Sequence, residues 1–138
     1  MAKSSPLSLR LPPDLLGEIQ REARKTDRPT SRVIQSLLEE GVRMRRCPGI
    51  GFVPGPSGRR AAVAGTGIDV WEVVRVFKSC HKNFENLSRA LPQLSRPQLE
   101  AAIYYYRRHP NEIDTRLEEE EEAYGVLTSQ PFMRSLKI

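Results

Sequence analysis

The chain has 138 residues, with 22 Lys and Arg, 17 Asp and Glu, and a formal net charge of +5 at pH 7. This length suits one small domain or two very small ones and excludes the core of a large enzyme. No window approaches a membrane span and the N-terminus shows no apolar leader, which predicts a cytoplasmic protein. Cys47 and Cys80 are the two cysteines, and we expect both to be reduced thiols.

Charge is distributed unevenly along the chain. Residues 1–46 carry a net +4, residues 47–109 a net +5 and residues 110–138 a net −4. A basic surface is what phosphate binding needs, although excess Lys and Arg is as often a solubility feature. The acidic run Glu118–Glu122 suits a solvated helix face, a guard against misplaced nucleic acid, or a surface for a basic partner.

The first predicted element is a short strand, Leu7–Leu11. Three leucines alternate with Ser8 and Arg10, the pattern of a strand with one apolar and one polar face. No second strand follows before the helical segments, so its expected partner is the same strand of a second copy. An antiparallel ribbon with Ser8 and Arg10 outward fits the major groove of DNA.

Two amphipathic helices are predicted next. The first begins at Pro12-Pro13 and runs to about Lys25, and the second is capped by Thr30 or Ser31 and runs to Arg46. About forty residues lie near the lower limit for independent folding, so we expect dimerisation to complete the core. The apolar positions on the two helices are Leu15, Leu16, Ile19, Ala23, Val33, Ile34, Leu37, Leu38 and Val42.

This order of strand, prolines, helix, polar turn and capped helix resembles the ribbon-helix-helix domain of bacterial repressors and antitoxins over residues 6–46. The resemblance implies that outward strand residues contact bases and that the start of the second helix holds a phosphate, in agreement with the attraction of helix N-termini for anions. Pro6 stands at the first outward position of the strand, where the family usually has a polar residue that contacts a base. The DNA-binding residues so implied are Lys3, Ser8, Arg10, Thr30 and Ser31.

A domain boundary is predicted near Cys47-Pro48-Gly49. The following stretch is rich in Gly and Pro, and it suggests a hairpin of Ile50–Val53 with Ala61–Ala64. Gly65-Thr66-Gly67 is not followed by the Lys-Ser/Thr of a phosphate loop, so nucleotide binding is not expected.

Helices are predicted for the remainder of this region from their capping residues. Asp69 caps a helix that ends near Cys80-His81, and Asn83 caps a short one from Phe84 to Leu91. Ser95-Arg96-Pro97-Gln98 is a capping box for a third helix, which Pro110 ends. Asn111 is expected to cap a fourth helix, from Glu112 to about Ala123. The inward positions predicted on the third helix are Leu99, Ala102, Ile103 and Tyr106.

Two motifs in this region are similar to those of the VapB-type tri-helical antitoxin domain. They are Gly65-Thr66-Gly67-Ile68-Asp69-Val70-Trp71, and Leu91-Pro92-Gln93-Leu94-Ser95 together with Leu99 to His109-Pro110-Asn111-Glu112-Ile113. The resemblance covers about residues 48–122 and implies a PIN-type ribonuclease toxin as partner. Gly67 stands where the family typically has Arg, so any role of that cation is absent or moved, with Arg59 and Arg60 as candidates.

The predicted fold is mainly α. It consists of a ribbon-helix-helix dimerisation domain over residues 1–46, a small β-hairpin with a three- to four-helix, helix-turn-helix-like domain over residues 47–123, and a C-terminal tail over residues 124–138.

The predicted function is that of a type II antitoxin, which binds operator DNA as a homodimer, regulates its own transcription and neutralises the toxin. Apolar anchors and two cations suit the tail for folding on the toxin, or for packing on its own domain. The alternative is a dimeric transcriptional regulator without a toxin. The tail residues expected to contact the toxin are Phe132, Met133, Arg134, Leu136 and Lys137.

No catalytic, metal or cofactor site is predicted. His81 and His109 lie far apart in sequence and lack Cys or carboxylate partners at metal-ligand spacing. The acidic run lies on a polar helix, where burial would not tune a carboxyl group for acid-base chemistry.

Overall fold

The computed structural model describes residues 4–55 and 58–129, which form six helices and a small antiparallel sheet. The chain separates into two compact units, Met1–Val42 and Arg43–Ile138. The elements in chain order are α1 (Pro13–Lys25), α2 (Thr30–Arg46), β1 (Ile50–Val53), β2 (Arg60–Val63), β3 (Ile68–Asp69), α3 (Val70–Ser79), α4 (Phe84–Ala90), α5 (Arg96–Arg108) and α6 (Pro110–Ser129).

The first unit contains α1 and the greater part of α2. Pro12 precedes α1, and its backbone carbonyl accepts a hydrogen bond from the N–H of Leu16 at 3.0 Å. This position agrees with the preference of proline for a helix start. The predicted caps of α2, Thr30 or Ser31, are both wrong, since they lie one and two positions after Pro29. Thr30 is already helical, and the carbonyl of Pro29 accepts from the N–H groups of the next turn. Residues 4–12 form no strand within the single chain, and their pairing with a second copy stays a prediction.

The sheet of the second unit has the strand order β1-β2-β3. Ile50 pairs with Val63 and Val53 with Arg60, so the hairpin is confirmed with its second strand one residue earlier than predicted. The third strand was not predicted, because two residues are too few to show an alternating pattern. Gly65 and Gly67 adopt φ of +76° and +73° in the tight turn between β2 and β3, a conformation that favours glycine.

Local capping sets the starts of α3, α4 and α5, as predicted. The N–H of Asp69 donates to Glu72 at 2.8 Å, and the side chain of Asn83 accepts from the N–H of Asn86 at 2.9 Å. Ser95 and Gln98 exchange two hydrogen bonds in the predicted capping box. Each cap pairs N–H groups that a helix start leaves unsatisfied.

Helix α6 begins earlier and runs further than predicted. It starts at Pro110 instead of Glu112 and continues to Ser129, beyond the expected end at Ala123. Proline suits a first helical position, and the single Gly125 costs about 1 kcal/mol, which is too little to end a helix. Ile113 and Leu117 are buried, whereas the next turns are largely exposed.

The main hydrophobic core lies in the second unit, where α3 and α5 contact each other and α6, and α5 also contacts β1 and β2. Tyr105 is fully buried and Tyr106 half-buried, so the predicted inward tyrosine is wrong. The core consists of Cys47, Ile50, Ala61, Val63, Val70, Val73, Val74, Phe77, Leu87, Leu94, Leu99, Ala102, Ile103, Tyr105, Ile113 and Leu117.

Candidate nucleic-acid interface

The segment before α1 presents both its polar and its apolar residues to solvent. Ser8 and Arg10 are exposed, as the predicted base-reading role requires. Leu7 and Leu9 are 80% and 55% exposed, and Leu11 packs beside the small core of this unit. The described chain offers residues 7–11 no strand partner, so their alternating apolar face is left uncovered.

The helices of the first unit also leave apolar surface uncovered. Its core is a cluster of three buried residues, Ile19, Ala23 and Val33. On α2, three further residues of the predicted apolar stripe are 50–54% exposed: Leu37, Leu38 and Val42. Contiguous apolar surface on a soluble protein commonly marks an interaction site.

The start of α2 carries the two residues predicted to hold a phosphate. Thr30 is half-buried and Ser31 exposed, and within the described chain no carbonyl accepts their N–H groups. Arg28 lies in the turn before the helix and donates to Ser36 at 3.1 Å. Among residues 4–55, no hydrogen bond or ion pair joins Ser8 or Arg10 to this helix start.

Six predicted site residues lie outside the described residues. One is the backbone contact Lys3 in the N-terminal segment. The others are the toxin-binding candidates of the tail, Phe132, Met133, Arg134, Leu136 and Lys137.

Within the second unit, a polar network joins Arg43, near the end of α2, to α5 and α6, and sequence reasoning missed it. Arg43 donates to the hydroxyl of Tyr105 at 2.9 Å and forms an ion pair with Glu112, and Tyr105 also donates to Glu112. Burial and the Glu112 carboxylate raise the pKa of Tyr105 above its ordinary value, so the hydroxyl keeps its proton. The ring of Tyr105 lies 4.6 Å from that of His109, measured between centroids.

A second network engages one of the hairpin cations. Arg60 Nε lies 2.8 Å from Oδ2 of the buried Asp69, which also accepts from the indole N–H of Trp71 at 2.9 Å. Arg59 donates to the carbonyl of Phe52 at 3.1 Å. Arg60 therefore forms an ion pair with Asp69 where β2, β3 and α3 meet, and its buried Nε has no hydrogen-bond partner among the described residues.

In residues 4–55 and 58–129, no three His, Cys, Asp or Glu side chains come together in a group that could hold a metal ion. His81 is exposed in a turn with φ of +54°, and His109 follows the last residue of α5. Over the same ranges, no helix has the length and apolar character needed to cross a membrane.

Comparisons with protein-family models, with curated proteins and with solved structures found no match to this chain.

Proposed function

We propose that the chain is a dimeric DNA-binding antitoxin, in which the first unit binds operator DNA and the second unit with its tail neutralises a ribonuclease of the PIN type. The observation that carries the DNA-binding part is the uncovered apolar surface of the first unit, next to an unpaired segment of alternating residues.

A second copy is the occupant that suits this surface. Antiparallel pairing of Leu7–Leu11 with its counterpart hydrogen-bonds both backbones and leaves Ser8 and Arg10 on the outer face. Leu37 and Leu38 then pack against the partner's helices, and each leucine fully buried stabilises the dimer by about 1.5–3 kcal/mol. Among residues 4–42, three are buried within the single chain, so this gain is large for the first unit.

DNA binding is tested by fluorescence anisotropy on a labelled duplex taken from upstream of the coding sequence. We expect Arg10→Ala to weaken binding by about 1–3 kcal/mol, the magnitude of one good base contact, and to reduce the preference over random DNA. Arg21→Ala, an exposed arginine of α1, is the matched control and is expected to keep that preference. Unchanged discrimination in Arg10→Ala contradicts the base-reading role.

The toxin-binding part rests on the motif resemblance and on the composition of residues 130–138. The exposed turns of α6 after Leu117 support it, because they make few contacts within their own unit. Since α6 is described to Ser129, truncation after that residue removes residues 130–138, the part of the predicted tail beyond the described helix. We expect the truncated chain to bind DNA normally and to inhibit the ribonuclease of an adjoining reading frame less well.

The stand-alone regulator is distinguished by co-purification. If the adjoining reading frame encodes no carboxylate-rich ribonuclease, or if its product does not co-purify with the full chain, the antitoxin part is wrong. The dimeric DNA-binding part is then retained, because it depends on residues of the first unit.

A further inference from the structure

The end of α2 contacts α5 within the second unit through the side chain of Arg43. Arg43 reaches the hydroxyl of Tyr105 at 2.9 Å, and Cys47 just beyond the helix is 1% exposed. A Cβ placed on Gly49 would lie 3.2 Å from the Cβ of Ala101, so the two backbones approach closely there. The last turns of α2 and α5 therefore lie in one region of this unit.

Both of these last turns are basic, and the nearby carboxylates already accept hydrogen bonds from other side chains. Glu112 is taken by Arg43 and Tyr105, and Glu100 accepts from Arg96 Nε at 2.9 Å. The remaining arginines of the two turns with no acidic partner among the described residues are Arg45, Arg46, Arg107 and Arg108, and all four are exposed.

An exposed aromatic side chain accompanies these cations. Tyr104 is 45% exposed, and the guanidinium of Arg108 lies 5.9 Å from the centroid of its ring. Tyr104 and Arg107 line one open groove with Pro48, of about 530 Å³. We call the set Arg45, Arg46, Tyr104, Arg107 and Arg108 the α2–α5 basic surface.

We propose that the α2–α5 basic surface binds the phosphate backbone of duplex DNA and extends the footprint of the first unit. This inference rests on the proposed DNA-binding function. Residues 1–42 hold seven Lys and Arg against six Asp and Glu, so they supply little net attraction for DNA. Arginines that are not held in ion pairs match the regularly spaced charges of a phosphate backbone.

The experiment measures binding of the full chain to a labelled 30-base-pair duplex of random sequence as a function of salt, with about 0.9 unit of slope expected per phosphate contact. The test variant carries Arg45→Gln, Arg46→Gln and Arg107→Gln. The matched control carries Arg75→Gln, Lys82→Gln and Arg89→Gln, which removes the same charge from exposed residues of the same unit. Thermal unfolding of both variants is measured in parallel.

We expect the test variant to lower the slope by up to about 2.7 per bound protomer and to weaken random and upstream DNA alike, while the control keeps most of the slope. Equal slopes for the test variant and the control overturn the inference. The inference is also overturned if the test variant loses thermal stability but its salt slope falls no more than that of the control. The arginines then stabilise the C-terminal ends of the helices instead of binding DNA. If the wild-type chain binds no DNA even at low salt, the proposed function itself is wrong.

Discussion

Arg43 near the end of α2 donates a 2.9 Å hydrogen bond to the hydroxyl of Tyr105 in α5. The two residues are 62 positions apart in sequence. Because Tyr105 also donates to Glu112, one hydroxyl in α5 connects the end of α2 with α6. A hydrogen bond that involves charged groups is worth more than a neutral one, so this contact is a strong test of the packing.

Tyr105→Phe keeps the ring and removes this hydroxyl. We expect the free energy of unfolding to fall by about 1.5–3 kcal/mol, the usual contribution of a hydrogen bond to a charged group. Urea denaturation followed by circular dichroism measures it. Tyr104→Phe, at an exposed position of the same helix, is the control and is expected to change stability by less than about 0.5 kcal/mol.

Asp69→Asn removes the negative charge that faces Arg60 while leaving an oxygen for the indole of Trp71. Because Asp69 is buried and Arg60 is partly exposed, we expect a loss of about 1–3 kcal/mol in the free energy of unfolding. Asp114→Asn breaks the exposed pair with Lys78 and is expected to cost less than about 1 kcal/mol. Equal losses in the two variants contradict the structural role of Asp69.

His109 gives the second unit a dependence on acidic pH. Burial, and then the charge of Arg43, hold the pKa of His109 below its ordinary 6.5. The unfolded chain then binds this proton more readily than the folded chain. The contribution of His109 to the free energy of unfolding is therefore fully present above pH 6.5, and it is lost as the pH falls through the pKa of His109 in the folded chain.

The measurement is the urea midpoint at neutral and at acidic pH. We expect the urea midpoint of His109→Gln to fall less from neutral to acidic pH than the midpoint of the wild-type chain. His81→Asn, in an exposed turn, is the control and is expected to retain the wild-type fall. A fall in His109→Gln as large as in the wild type rejects this assignment.

Local signals in the sequence predict the starts of α3, α4 and α5 correctly. Asp69, Asn83 and Ser95 precede helices because the capping side chain, or the side chain three positions later, accepts from an N–H group nearby in sequence. The pairing of β1 with β2 follows from two short runs flanking a Gly- and Pro-rich turn.

The spacing of apolar residues within one helix does not predict contacts between residues that are distant in sequence. On α5, helical spacing places Tyr106 at the centre of the predicted apolar face, yet β1 contacts this helix as well and Phe52 packs edge-on against Tyr105. Tyr106 instead directs its hydroxyl to Asp114 at 2.8 Å. The periodicity of one helix does not report which neighbouring elements cover it.

The α2 stripe yields a direct prediction about assembly. Leu37→Ser with Leu38→Ser replaces two half-exposed leucines by polar residues. If these leucines pack against a second copy, we expect the variant to dissociate or unfold at concentrations where the wild-type chain is a folded dimer. Met44→Ser, similarly exposed but in the second unit, is the control and is expected to leave the assembly unchanged.

Sedimentation equilibrium of the full chain tests the central claim, that a second copy completes the first unit. We expect a mass twice that of the 15.7 kDa chain, with a return towards 15.7 kDa on introducing Leu37→Ser and Leu38→Ser. A wild-type mass of 15.7 kDa over the whole accessible concentration range, with the exposed leucines in place, would contradict the account.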